Sequence, residues 1–190
     1  MRTVFVDIDT QNDFMLPAGA LYVPGAEQLI ATIARLNRYA AGQRIPLIST
    51  ADAHAENDVE FRVWPPHCVA GTIGQQRQQE LLLSKRATVP SRAGWVFQEA
   101  EQYIVEKQAL DCFTNANLAG LLDRLGAERC VVYGVVTEYC VKCAAAGLLK
   151  LGKRVEVVTD AIRTLNQATG EATLAELRAQ GAELVQAARY

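Results

Sequence analysis

The sequence predicts a three-layer α/β/α domain in which a six-stranded parallel sheet is covered by helices on both faces. Three observations predict it: short β-branched runs recur along the chain, segments of helical spacing lie between them, and the runs are apolar nearly throughout. Strands buried on both faces require such runs, and right-handed βαβ crossovers place the intervening helices over the sheet. At 190 residues, half of them apolar, the chain matches one compact unit with a sizeable core, so residues 1–190 are expected to form a single domain.

The first strand is expected over residues 3–9 (TVFVDID). A helix follows over 26–41, where Leu29, Ile30, Ile33 and Leu36 recur on one face. Residues 45–50 (IPLIST) supply the second strand. The stretch 51–102 breaks the alternation: it holds Pro65, Pro66, Gly71, Gly74, Pro90 and Gly94 and one helix candidate, 75–84. Loops of that length are commonly functional. A strand at 103–107 (YIVEK), a helix at 115–125 and a strand at 129–135 (RCVVYGV) resume the pattern. A helix at 138–151, a strand at 154–159 (RVEVVT), a helix at 167–180 carrying Leu174 and Leu177, and a strand at 182–186 (AELVQ) complete it.

A net charge of -2, with no run of Lys or Arg, gives no basic field for a phosphate backbone, so nucleic acid is not an expected partner. No apolar stretch reaches bilayer length, which excludes a membrane-spanning helix. The chain starts directly on a strand-like segment carrying Asp7 and Asp9, unlike a signal peptide, and its five cysteines are an odd number; both fit a reducing, cytoplasmic setting.

Open parallel sheets bind ligands beyond the carboxyl ends of their strands. Asp9 lies after the first predicted strand, Asp52 and His54 after the second, Lys107 after the third and the turn 136–140 after the fourth. In VVYGVVTEYC (131–140) a buried strand ends at Gly134 and turns into a helix whose first turn carries Cys140. A thiol there faces the positive end of the helix dipole, which favours thiolate, and the free N–H groups can bind an oxyanion. The nucleophile needs a base. The only histidines are His54 and His67; if both are engaged elsewhere, the base is a carboxylate, and Asp9 is the candidate, with Lys107 to hold it ionised. Cys68, Cys112, Cys130 and Cys143 read as inert. Cys140 and Cys143 also spell a C-x-x-C redox pattern, but it follows the fourth strand and not the first βα turn.

Asp52-Ala53-His54 directly follows a strand, where alternate side chains point the same way, so its carboxylate and imidazole can chelate one cation. His67 follows Trp64-Pro65-Pro66, whose prolines stiffen its approach. Two histidines and a carboxylate suit a divalent transition ion, and the absence of cysteine pairs there argues for a site open to water or substrate. Asp58 and Glu60 are further acidic candidates between which spacing does not choose.

Asp9-Thr10-Gln11-Asn12-Asp13-Phe14, Asp52-Ala53-His54, Trp64-Pro65-Pro66-His67-Cys68-Val69-Ala70-Gly71-Thr72, Lys107 and Gly134-Val135-Val136-Thr137-Glu138-Tyr139-Cys140 together resemble the isochorismatase-like cysteine hydrolases. Within that superfamily the D-x-H and W-P-x-H-C-V-x-G-T pair resembles the nicotinamidase branch. The resemblance covers nearly the whole chain in the same order. It implies a Rossmann-like hydrolase fold and an amidohydrolase with an Asp9-Lys107-Cys140 triad. It further implies a cis peptide between Val135 and Val136 that aims the N–H groups of Val136 and Cys140 at an oxyanion. A divalent metal, zinc first with iron or manganese as alternatives, is implied on Asp52, His54 and His67, where it would bind a pyridine nitrogen. Glu60, seven residues before His67, resembles the acidic ligand of part of the family and is preferred over Asp58. Phe14 and Trp64 are expected to flank a flat substrate ring. The expected reaction is hydrolysis of nicotinamide to nicotinate and ammonia through a Cys140 thioester, a step of NAD salvage. A related amidohydrolase acting on a ureido or carbamoyl compound is the first alternative, and a non-catalytic metal or redox protein the second. Superfamily members frequently associate, so a homo-oligomer is a further expectation. Glu138 stands where the family commonly has Asp.

Overall fold

The computed structural model describes residues 1–190 and forms the predicted parallel α/β sheet with seven strands in place of six. These are β1 (Thr3–Ile8), β2 (Leu47–Asp52), β3 (Arg86–Val89), β4 (Gln102–Lys107), β5 (Arg129–Val135), β6 (Arg154–Arg163) and β7 (Glu183–Val185), in the spatial order β3-β4-β2-β1-β5-β6-β7, all parallel. The added strand, β3, is an edge strand whose residues alternate exposed and buried. Four residues of RATV inside a loop-rich stretch carry too little apolar signal to announce it, and pairing with β4 makes it a strand.

The helices are α1 (Asn12–Met15), α2 (Ile30–Gly42), α3 (Leu118–Leu125), α4 (Lys142–Lys150) and α5 (Gln167–Ala179). On one face α2 covers β1 and β5: Tyr39 packs against Phe5 at 6.0 Å between ring centroids, and the Tyr133 hydroxyl donates to Asn37 Oδ1 at 2.7 Å. The opposite face of β1 and β2 meets Leu118 and Leu122 of α3 and Leu148 of α4. The predicted helix over 75–84 reduces to one 3-10 turn, Gln79–Leu81. Its apolar residues sit at Leu81, Leu82 and Leu83, a consecutive run without helical spacing. No helix is long and apolar enough to cross a membrane.

The register brings the strand ends level. Ile8 pairs with Thr50 on one side and Gly134 on the other, and Asp52 pairs with Lys107. Gly134 is required there: a Cβ at this position would lie 2.1 Å from the Ile8 carbonyl oxygen, so only glycine lets the end of β5 close on the end of β1. The long loop is pinned to the same rim by Arg77, which reaches Asp7, the Thr10 hydroxyl and the Thr50 carbonyl. Asp7 is fully buried, and burial pushes its carboxyl up despite that guanidinium.

Candidate active site and metal centre

Lys107 is the hub of the rim. It is 1% exposed, and its ammonium lies 2.9 Å from Asp9 Oδ2 and 3.7 Å from Cys140 Sγ while also bonding Asp52 Oδ1. Burial works against its charge, but the Asp9 and Asp52 carboxylates outweigh burial and raise its pKa well above the ordinary lysine value. Asp9 follows β1 in the left-handed region (φ 49°), a conformation that aspartate tolerates better than most residues. Its other oxygen, Oδ1, accepts the Thr50 hydroxyl at 2.6 Å. Thr50 therefore fixes one carboxylate oxygen and leaves the second to Lys107. Sequence reasoning passed over Thr50, although it lies two residues before Asp52 in an extended strand and so shares its face.

Cys140 lies in a single π-helical turn, Thr137–Val141, between β5 and α4, in place of the expected first turn of an α-helix. One-turn π segments recur at functional sites. The peptide between Val135 and Val136 is cis. Burial raises the thiol's pKa against the effect of the helix end, Asp9 and Asp52 act in the same direction as burial, and Lys107 only partly offsets them. The dipole of a short turn is a smaller effect than complete desolvation beside two carboxylates. Without substrate, Cys140 is expected to be a protonated thiol at neutral pH. Difference absorbance between the wild type and Cys140→Ala should then lack a thiolate band at neutral pH and gain one only in alkaline solution. A thiolate band at neutral pH would contradict this.

Cys143 does not share the pocket. It lines a separate surface groove with Asp111, Lys142 and Glu176, and both cysteines are free. Cys68, Cys112 and Cys130 are buried, and burial raises each thiol.

Asp52 divides its oxygens. Oδ1 bonds Lys107, and Oδ2 lies 3.9 Å from His54 Nε2 and 3.8 Å from His67 Nε2. Burial would raise its carboxyl, but Lys107 and the two imidazoles hold it well below the usual carboxylate range. Two ligands each about 2.1 Å from a tetrahedral ion stand about 3.4 Å apart, so these separations are within a small side-chain adjustment of that geometry. His54 Nε2 is buried without a hydrogen-bond partner. An orphaned imidazole nitrogen facing a carboxylate and a second imidazole fits a divalent cation, and Asp52, His54 and His67 together form the one group of metal-type side chains in the structure.

Of the two acidic candidates left open by spacing, Glu60 lines the pocket with Asp52, and burial pushes its carboxyl up. Asp58 instead bonds the far side of His54, with Oδ2 3.0 Å from Nδ1. Burial lowers the His54 pKa, but Asp52 and Asp58 outweigh it and leave the imidazole above its ordinary value.

Phe14, Trp64, Tyr139, Val23, Leu110 and Leu165 supply apolar walls for the pocket that Cys140, Val136, Asp52 and His67 also line. Trp64 meets Tyr139 edge-on at 5.6 Å. The pocket is partly open to solvent, and none of its lining residues is a lysine or arginine. Tyr139, Leu110 and Leu165 escaped sequence reasoning because isolated apolar residues in turns carry no periodic signal.

The D-T-Q-N-D-F segment holds these parts together. The Gln11 amide donates to the Asp52 carbonyl at 2.8 Å and its oxygen accepts the Asp52 N–H at 2.7 Å. Asp13 accepts the N–H groups of Cys68 at 2.7 Å and Ala20 at 2.9 Å, joining the His67 segment to the pocket wall. Gly74 permits this, since a Cβ there would lie 2.1 Å from Asp13 Oδ2. Glu138 accepts the Thr164 hydroxyl at 2.6 Å and the N–H groups of Leu165 and Asn166, each at 3.0 Å. The departure from Asp thus ties the nucleophile turn to the loop carrying Leu165.

The family model for the isochorismatase domain matches residues 3–189. A nicotinamidase of Saccharomyces cerevisiae is 25% identical, covering 87% of this chain and 89% of its own. A nicotinamidase/pyrazinamidase of Mycobacterium tuberculosis is 27% identical, covering 97% and 98%. A crystal structure of the pyrazinamidase of Pyrococcus horikoshii in complex with zinc superposes with a TM-score of 0.83 at 28% identity, covering 98% of this chain and 99% of its own.

Proposed function

The chain belongs to the isochorismatase family, and from that premise we propose that it is a metal-dependent amidohydrolase that converts nicotinamide to nicotinate and ammonia. The observation that carries the reading is that Cys140 and the metal-type ligands Asp52 and His67 line one apolar pocket. Relatives named as nicotinamidases support the substrate. A flat, uncharged ring with an amide suits such walls, with Phe14 and Trp64 as its aromatic contacts.

In the proposed reaction the Cys140 sulfur forms a bond to the carboxamide carbon as its proton passes to Asp9. The N–H groups of Val136 and Cys140 hold the oxyanion. Collapse breaks the C–N bond, Asp9 gives its proton to the departing nitrogen, and ammonia leaves a Cys140 thioester. Water then attacks the thioester, losing its proton to Asp9. Breaking the C–S bond frees nicotinic acid, which ionises to nicotinate by losing its proton to solvent, and a thiolate that takes the other proton back from Asp9. Lys107 remains charged throughout, facing Asp9 and the sulfur. Asp52, His54 and His67, with Glu60 beside them, would hold a divalent ion such as zinc, iron or manganese, which supplies a Lewis-acid contact to the ring nitrogen and so orients the amide.

The lining also favours this reading over a ureido or carbamoyl acid as substrate. A carboxylate-bearing substrate would meet Asp52 and Glu60 and no lining lysine or arginine. A redox role for Cys140 and Cys143 is disfavoured, because the two line different cavities. With the metal-loaded protein, ammonia release should be readily measured from nicotinamide and weak or absent from carbamoyl amino acids. The reverse ranking would sink the assignment.

A further inference from the structure

Resting on the metal reading above, we infer that Asp58 is a positioning residue for the metal centre: it fixes the His54 imidazole in the form that presents a bare Nε2 to Asp52 and His67. For a neutral imidazole the geometry leaves one arrangement of protons. Asp58 Oδ2 lies 3.0 Å from His54 Nδ1. An ionised carboxylate only accepts hydrogen bonds, so Nδ1 carries the proton and donates it to Asp58. Nε2 then has a free lone pair, and this is the buried atom without a partner that faces the Asp52 carboxylate. His67 is arranged in parallel: its Nδ1 lies 2.7 Å from the Pro65 carbonyl oxygen, so it too donates outward and turns Nε2 inward.

The two locks differ in kind. The acceptor for His67 is backbone, whereas the acceptor for His54 is a charged side chain four residues on, which raises imidazole basicity and orients the ring. Asp58 has a second bond that fits the same task. Its Oδ1 accepts the Glu60 N–H at 2.9 Å and caps the 3-10 turn Val59–Arg62, the turn that carries Glu60 to the pocket. One carboxylate therefore sets the proton position on His54 with one oxygen and the path of Glu60 with the other. The sequence offered Asp58 and Glu60 as rivals for one coordination position. Their places in the structure make them successive: Glu60 beside the centre, Asp58 behind it.

Asparagine at this position distinguishes the role from a structural one. Its side chain has one oxygen and one amide nitrogen, so it cannot accept from both partners. If its oxygen keeps the Glu60 cap, its NH₂ group faces His54 Nδ1 and drives the ring proton to Nε2, the atom needed for the metal. The test uses the full chain and Co²⁺ alone as the probe, with Asp58→Asn, Asp58→Ala and, to isolate the contribution of Glu60, Glu60→Gln. Wild-type protein should bind Co²⁺, and both Asp58 variants should bind it about 10- to 100-fold more weakly. Nitrogen NMR of the metal-free chain, at a pH where both imidazoles are neutral, should show both wild-type histidines protonated at Nδ1. Asp58→Asn should change that pattern for one of them, which a general loss of stability would not do. Unchanged Co²⁺ affinity and an unchanged His54 ring pattern in both Asp58 variants would overturn the inference and leave the metal reading standing. If Glu60→Gln accounted for the whole loss seen in the Asp58 variants, with the His54 pattern unchanged, the inference would be overturned likewise. Wild-type protein that binds no Co²⁺ would overturn the metal reading, and this inference with it.

Discussion

Replacing Cys140 by alanine should lower turnover of nicotinamide by on the order of 10⁴-fold or more, because no second nucleophile shares the pocket. The change removes one sulfur from a buried turn and leaves the contacts of Lys107 with Asp9 and Asp52 in place. The variant should therefore stay folded and keep its affinity for the metal and the substrate. Mass spectrometry of the wild type quenched during turnover should find the mass of a nicotinoyl adduct on Cys140, absent from the variant. Normal turnover by Cys140→Ala would refute covalent catalysis through this residue.

Asp9→Asn should be nearly as severe on turnover, on the order of 10² to 10⁴-fold, without unfolding the chain. Its effect follows from the resting state of Cys140. Burial and the carboxylates keep the thiol protonated, so attack requires a base at the moment the carbon–sulfur bond forms. Asparagine keeps an oxygen for the Thr50 hydroxyl, and Asp52 still faces Lys107, so the buried lysine is not left without a counter-charge. The signature to measure is a collapse of kcat with little change in KM, together with slower alkylation of Cys140. Equal kcat values for Asp9→Asn and the wild type would rule out Asp9 as the proton acceptor.

Much of this arrangement was legible in the residue order, because βα alternation places strand ends on one rim and so gathers Asp9, Asp52, His54, Lys107 and the 136–140 turn before any contact is known. Strand β3 was not legible: four residues in a loop acquire their character from pairing with β4. The protonation of Cys140 was not legible for a related reason. Sequence shows the address of a thiol but not its desolvation, and here burial next to Asp9 and Asp52 outweighs the helix-terminus effect. The separate places of Asp58 and Glu60 depend on where one 3-10 turn points its side chains, which spacing does not encode. Thr50 was missed, and the bonds of Glu138 were not foreseen, because their roles are hydrogen bonds across long sequence separations.

The most direct test of the account is ammonia release from nicotinamide by the purified protein, as isolated, after chelation, and after metal add-back, with Cys140→Ala in parallel. Chelation should abolish release, a divalent metal should restore it, and Cys140→Ala should lack it under every condition. No release from a folded, metal-loaded protein, or release that persists without Cys140, would contradict it.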